Sequence, residues 1–228
     1  MLILDIYLNF MYLKYLYLIS LGVSAITGIY QMNKITRQLK TVALLCTYTF
    51  LLELSVFLFR QNFGYQGNIL PQYNFFILVE FMFYAYFFKQ IVKNTYVLKA
   101  IKLFLFIFPV LWYIFSFYCF NILQWSSYSF VFGGTIIIFF ALIYCYEKLT
   151  SNETTSLLSE GEFWVAIGLI VYYTCVVPYM GMFHYLTANY EQLAVKLKKL
   201  NLITNIIMYL LFAYAFLCKM IKTEKYSS

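Results

Sequence analysis

Ala100–Tyr146 reads AIKLFLFIFPVLWYIFSFYCFNILQWSSYSFVFGGTIIIFFALIYCY, with one lysine and no acid over the whole stretch. No globular protein can hide that much Phe, Ile, Leu, Tyr and Trp from water. The pattern extends over the 228-residue chain, which is 64% hydrophobic and 11% charged with a mean hydropathy of +0.77. Too few polar residues remain to clothe a water-facing surface, whereas a bilayer accepts such a chain directly. In hydrocarbon every backbone N–H and C=O must be satisfied internally. Unbroken apolar runs satisfy them as α-helices; the strands of a membrane barrel would show in–out alternation over about 10 residues.

A hydrocarbon core of about 30 Å takes about 20 apolar residues per helix. Read from charge to charge, seven segments qualify: Leu8–Tyr30, Val42–Phe59, Tyr73–Phe88, Ile101–Phe120, Ser127–Tyr146, Phe163–Leu186 and Leu200–Leu217. The third is the weakest, because Glu80 interrupts it and Lys89 closes it early. The expected fold is an all-α, seven-span transmembrane bundle forming one integral membrane domain over residues 1–228.

Lys and Arg accumulate in loops on the cytoplasmic side. Lys34, Arg37 and Lys40 follow span one, Lys89, Lys93, Lys99 and Lys102 lie between spans three and four, Lys148 follows span five, and Lys219, Lys222 and Lys225 follow span seven. The opposite side holds Arg60 and the group Lys196, Lys198 and Lys199. The amino terminus is therefore expected outside and the carboxyl terminus in the cytoplasm, and the net charge of +7 is largely a topology signal rather than a nucleic-acid footprint. A cleaved signal peptide ending near Ala25 is the competing reading of the first segment, but Lys14 lies far from the start and Asp5 precedes it.

The connections are short. The longest polar one, Glu147–Glu162, ends in Ser159-Glu160-Gly161-Glu162, a capping box that is expected to start span six. It reads as a solvated connector, with a partner-docking loop as the alternative. Cys46, Cys119, Cys145, Cys175 and Cys218 form no CxxC pair and have no set of histidines nearby, so neither a metal nor a cofactor is called for. Ser20, Ser24 and Gly28 recur every fourth residue on span one, where they let another helix approach, within the bundle or at an oligomer interface.

Ionisable groups in hydrocarbon cost about 2.5–3.5 kcal/mol on insertion scales and usually face a bundle interior or a cavity. Here they are few: Lys14 on span one, Glu53 on span two, Glu80 on span three and His184 on span six. With alternating helix directions all four fall outside the midplane. Asp5, Asn9, Asn74, Asn201 and Asn205 add polar groups at similar or shallower depth. Tyr73, Glu80 and Tyr84 share a helix face, Thr49 and Glu53 are one turn apart, and Asn201, Asn205 and Tyr209 repeat every fourth residue. Two readings stand side by side. One is an outward-opening polar cavity lined by Lys14, Glu53, Glu80, His184 and Asn205. The other is an internal pair of Lys14 with a glutamate, plus hydrogen bonds that pin the helices.

Pro178 frees the carbonyl of Thr174 beside Gly181, so a kink or hinge is expected between Tyr173 and His184. The 24 tyrosines and 25 phenylalanines read mostly as lipid-facing bulk and interfacial anchors. Leu186, Tyr190, Leu193, Leu197 and Leu200 form an apolar stripe beside Lys196, Lys198 and Lys199, expected as an amphipathic extension at the outer interface.

No GxSxG, HExxH or paired-glutamate motif is present, and the single histidine provides no pair, so the chain reads as non-enzymatic, with an intramembrane lipid-modifying enzyme using Glu53 and Glu80 as acid and base kept as a further alternative. Span seven has no lysine between Leu200 and Cys218, which excludes a rhodopsin-type Schiff base. Phe163-Trp164, then Gly168 and Val171-Tyr172-Tyr173, with a glutamate on the third span, resemble small seven-helix inner-membrane proteins of low-GC-content bacteria, some of which accompany sensor kinases. That resemblance implies a bacterial inner membrane and a signalling partner, and gives no residue a role. The expected function is ligand sensing or passage through the outer cavity. The alternative is a structural subunit, or a homo-oligomer, packed through span one. Membrane lipids are the expected surroundings in either case.

Overall fold

The computed structural model describes residues 2–62, 67–119, 121–151 and 157–225, with side chains described over 11–60, 67–119, 121–151 and 157–218. Among the described residues the structure is all-helical apart from its connections and contains no strand. The helices are α1 (Leu2–Tyr30), α2 (Arg37–Asn62), α3 (Leu70–Ile91), α4 (Thr95–Ile114, continued by a π-turn over Phe115–Cys119), α5 (Ser127–Thr150), α6 (Gly161–Gly181), α7 (Phe183–Asn189) and α8 (Glu191–Lys225).

Among the described residues six helices are long and apolar enough to cross a membrane: Met11–Tyr30, Arg37–Arg60, Thr95–Cys119, Ser127–Thr150, Gly161–Gly181 and Glu191–Cys218. The expected third span falls on α3, which has the length, at 22 residues, but not the apolar composition. The packing supplies the reason. α1, α2, α3, α5, α6 and α8 close into a ring in that order, each against the next and α8 against α1, while α4 lies outside the ring against α3 and α5. A ring helix can turn polar groups toward protein. Asn74, Glu80 and Tyr84 are on the buried side of α3, whereas peripheral α4 exposes Leu103, Phe106 and Val110.

Local chemistry sets the helix ends. Pro71 lies in the first turn of α3, where a missing N–H costs nothing. Asn94 caps α4, its Oδ1 accepting from the N–H groups of Tyr96 and Val97 at 2.9 and 3.3 Å. The Glu147 carboxylate, arriving from the end of α5, accepts from the Lys93 and Asn94 N–H groups, both at 2.9 Å. Thr36 Oγ1 accepts from Leu39 N at 3.3 Å to start α2 and donates to Glu162 on α6. Lys148 Nζ and Glu160 Oε2 pair at 2.9 Å. The described parts of the Glu147–Glu162 connector are thus tied into the basic end of the bundle; residues 152–156 lie outside the described residues.

Three local expectations change. The residue preceding α6 is Glu160, not Ser159, and no side chain caps the helix. Ser159 closes a separate 3-10 turn, Leu157–Ser159, and Glu162 is engaged by Thr36 instead of completing a box. The amphipathic extension expected from Leu186 to Leu200 is not a single element. It divides between α7 and the first turns of α8, which continues without a break for 35 residues, about 52 Å at 1.5 Å per residue, well beyond a hydrocarbon core of about 30 Å. α6 continues through Pro178 to Gly181, and the chain breaks at Met182, where α7 begins. The interruption lies within the expected interval but four residues past the proline.

At the other end, Asn74, fully buried, staples the α4–α5 connection. Its Nδ2 donates to the carbonyls of Ile122 and Gln124 at 2.9 and 2.6 Å, and its Oδ1 accepts from Ser126 N at 3.0 Å. Its own carbonyl accepts from Trp112 Nε1 at 2.7 Å. Asn74, noted in the sequence only as a polar group at similar or shallower depth, is a fastening between elements. The small residues of span one are used inside the chain. A Cβ on Gly28 would lie 2.8 Å from Ala43 Cβ and 3.1 Å from the Phe216 ring, and Ser24 donates to Cys46 Sγ at 3.4 Å.

Candidate functional site

The interior of the ring holds a column of carboxyl and tyrosine groups. Its outer tier is centred on Glu53 of α2. Tyr17 of α1 donates to Glu53 Oε1 at 3.2 Å, and Tyr73 of α3 donates to Oε2 at 3.1 Å, so three helices meet at one half-buried carboxylate. Lys14 is one helical turn from Tyr17 and within electrostatic reach of Glu53. Thr49, one turn from Glu53, is not part of this set, because its hydroxyl donates to Leu45 O of its own helix at 2.8 Å.

The inner tier is centred on Glu80, which is 5% exposed. Seven residues separate it from Tyr73 on α3, about 10 Å along the axis. Tyr84, Tyr172, Tyr173 and Tyr209, from α3, α6 and α8, are buried around Glu80 and within its electrostatic reach. Tyr84 meets Tyr173 edge-on with ring centroids 6.3 Å apart, and Tyr172 and Tyr173 are 4.8 Å apart. The Tyr173 hydroxyl stands beside Glu80 but closes no hydrogen bond of ordinary geometry. Tyr17 and Tyr209, ring centroids 6.1 Å apart, connect the two tiers.

Backbone shape makes the inner tier possible. α5 carries Gly133 and Gly134 where it faces the interior. The Phe81 ring fills the place of a Cβ on Gly133, and a Cβ on Gly134 would lie 2.9 Å from Tyr173 Cδ1. Phe81 packs against Phe108, Phe130 and Tyr173 with centroids 5.4, 5.9 and 5.5 Å apart, closing the apolar wall behind Glu80.

Of the sequence-predicted residues, Lys14, Glu53, Glu80 and Asn205 lie along this column. Asn205 donates to Asn201 O and Oδ1 at 3.1 and 2.9 Å and faces Tyr172. His184 lies elsewhere, exposed on α7, with Nε2 3.3 Å from the Trp125 carbonyl. Pro178 is exposed on α6, away from the Glu80 surroundings. The side chains of Asp5 and Asn9 are outside the described residues. The sequence reading passed over Tyr17 as part of the general aromatic bulk and noted Tyr172 and Tyr173 for a resemblance that gave them no role. The available signal was spacing, since Tyr17 is one turn from Lys14.

Hydroxyls, carboxyls and ring faces of this kind can donate, accept and stack. Among the described residues no group of three His, Cys, Asp or Glu side chains could hold a metal ion. Comparison of the chain with protein-family models, with curated proteins and with solved structures gives no match.

Proposed function

We propose that this chain is a ligand-binding multi-pass membrane protein, a sensor or transport component whose binding site is the column running from Glu53 to Glu80. The observation that carries the reading is the Glu53 carboxylate held by hydroxyls from two other helices, with a second buried carboxyl two turns deeper. A carboxyl inside a membrane bundle is costly and marks a candidate site, and here one half-buried and one buried carboxyl share connected polar surfaces. The distribution of Lys and Arg supports a mouth on the extracellular side of a bacterial inner membrane, with α3 as a seventh crossing and the carboxyl terminus in the cytoplasm. A ligand entering the column would bias the packing of α6, whose Tyr172 and Tyr173 line it and whose break at Met182 gives it an independent end.

The scaffold alternative rested on the small-residue stripe of α1, and that stripe is covered by α2 and α8 of the same chain. The test is single-cysteine labelling in a cysteine-free background. Cysteine at position 17, 73 or 205 should react with a membrane-impermeant thiol reagent added from outside, in the order of depth. Inert positions in a folded protein would leave a sealed structural network and end the reading.

A further inference from the structure

Glu80 stands where the ordinary uses of a buried carboxyl fall away. Among the described residues no lysine or arginine is within its electrostatic reach, so it is not half of an ion pair. The Tyr173 hydroxyl beside it is buried and closes no hydrogen bond of ordinary geometry, so the two do not staple α3 to α6. What surrounds Glu80 is hydroxyls: Tyr84 of its own helix, Tyr172 and Tyr173 of α6 and Tyr209 of α8. Cys46 of α2 is within reach of Tyr84 and Tyr209, and α5 turns Gly133 and Gly134 toward the Phe81 and Tyr173 rings. Tyr172 and Tyr209 are each within reach of both Glu80 and Glu53. Tyr17, which donates to Glu53, is within reach of both of those tyrosines. Glu53 further faces Tyr73 of α3, which is near Arg60, and Lys14 of α1. Two carboxyls at different depths are thus joined by tyrosines from α1, α6 and α8.

We propose that the column passes a proton from Glu53 to Glu80, with Glu80 as its enclosed acceptor. A tyrosine hydroxyl can accept on its oxygen while giving up its own proton, and acids inside membrane bundles are the stations of proton relays. The proton enters from the mouth onto the Glu53 carboxylate and moves to the Tyr17 oxygen as Tyr17 releases its own toward Tyr209 and Tyr172. The last hydroxyl, Tyr173, hands one to Glu80. Each tyrosine gives up one proton for the one it takes, so only the carboxyls change: Glu53 returns to the carboxylate and Glu80 becomes the neutral acid. A larger ligand needs an open column, whereas a proton passes along a sealed one.

The test is infrared spectroscopy of the full chain in lipid nanodiscs, following the stretching band of protonated carboxyls between about pH 4 and about pH 9. The native protein should show a titrating band that E80Q deletes. After a downward pH jump, Y172F combined with Y209F should delay the appearance of that band at least about tenfold while its midpoint stays in place. Both substitutions keep the rings, including the contacts of Tyr209 with Tyr17 and Phe212. E53Q, which alters no tyrosine, is the independent variant and should delay the band at least as much. No titrating band that E80Q deletes, or a Glu80 band that appears at the native rate in either delayed variant, overturns the proposal. A Glu80 band that moves with sodium at constant pH and not with pH would make Glu80 a cation ligand and overturns it equally. Cysteine labelling decides a separate matter: inert positions 17, 73 and 205 end the ligand-binding reading and leave the proton path standing.

Discussion

Tyr73 and Glu80 are two turns apart on the inward side of α3, so the polar groups inside the ring form a column about 10 Å long rather than a single layer. Tyr73 reaches Glu53 at the outer end, and Glu80 is enclosed by tyrosines at the inner end. One helix thereby connects both carboxyls, and its own polarity is the consequence. The expected common height of the ionisable groups becomes two tiers on one axis.

Removing either hydroxyl at Glu53 should be felt through the other. Y17F or Y73F leaves the carboxylate with one donor where it has two, and should cost about 1–3 kcal/mol. A double-mutant cycle by thermal unfolding in detergent should give a coupling energy of at least about 0.5 kcal/mol. Strict additivity would mean that the two tyrosines do not share Glu53.

G133L should destabilise the fold, because the place of its side chain is occupied by the Phe81 ring. Overpacking of this kind costs about 1–3 kcal/mol or more. The expected readout is a lower melting temperature that partly recovers in the double variant G133L/F81A, whose smaller residue vacates the space. Failure of F81A to restore any stability would locate the conflict elsewhere.

G28L should act within a single chain. Its Cβ meets Ala43 and Phe216 of the same bundle, so the melting temperature of the monodisperse protein should fall while its oligomeric state by light scattering stays the same. A variant that changes oligomeric state with no loss of thermal stability would return the stripe to an interface between chains.

N74A should loosen the α4–α5 connection, because three hydrogen bonds, to Ile122, Gln124 and Ser126, disappear together. Each polar group left unsatisfied costs about 1–3 kcal/mol, less where water can reach it. Limited proteolysis should then cut within residues 121–126 faster than in the native protein, and equal cutting rates would contradict the staple.

E147A should fray the start of α4, since its carboxylate accepts from the Lys93 and Asn94 N–H groups. Hydrogen exchange at residues 93–97 should accelerate, with a stability loss of about 1 kcal/mol, while exchange in α6 is unchanged. Acceleration spread evenly over all helices would mean a global rather than a local role.

The amino-acid sequence by itself determined the membrane, the helices and most of their bounds, because apolar composition and backbone satisfaction are properties of each segment taken alone. It also singled out Lys14, Glu53, Glu80 and Asn205, since a charge or amide in hydrocarbon is conspicuous wherever it points. Tertiary structure alone decided which of the 24 tyrosines turn inward and that His184 joins the Trp125 loop instead of Glu80. It also set α3 in the ring and α4 outside it. The reason is physical: lipid tails and a bundle core are equally apolar, so no hydrophobic periodicity fixes the rotation of a helix about its own axis. The close fits at Gly28, Gly133 and Gly134 and the hydrogen bonds to Glu53 and Asn74 are among the contacts that fix those rotations.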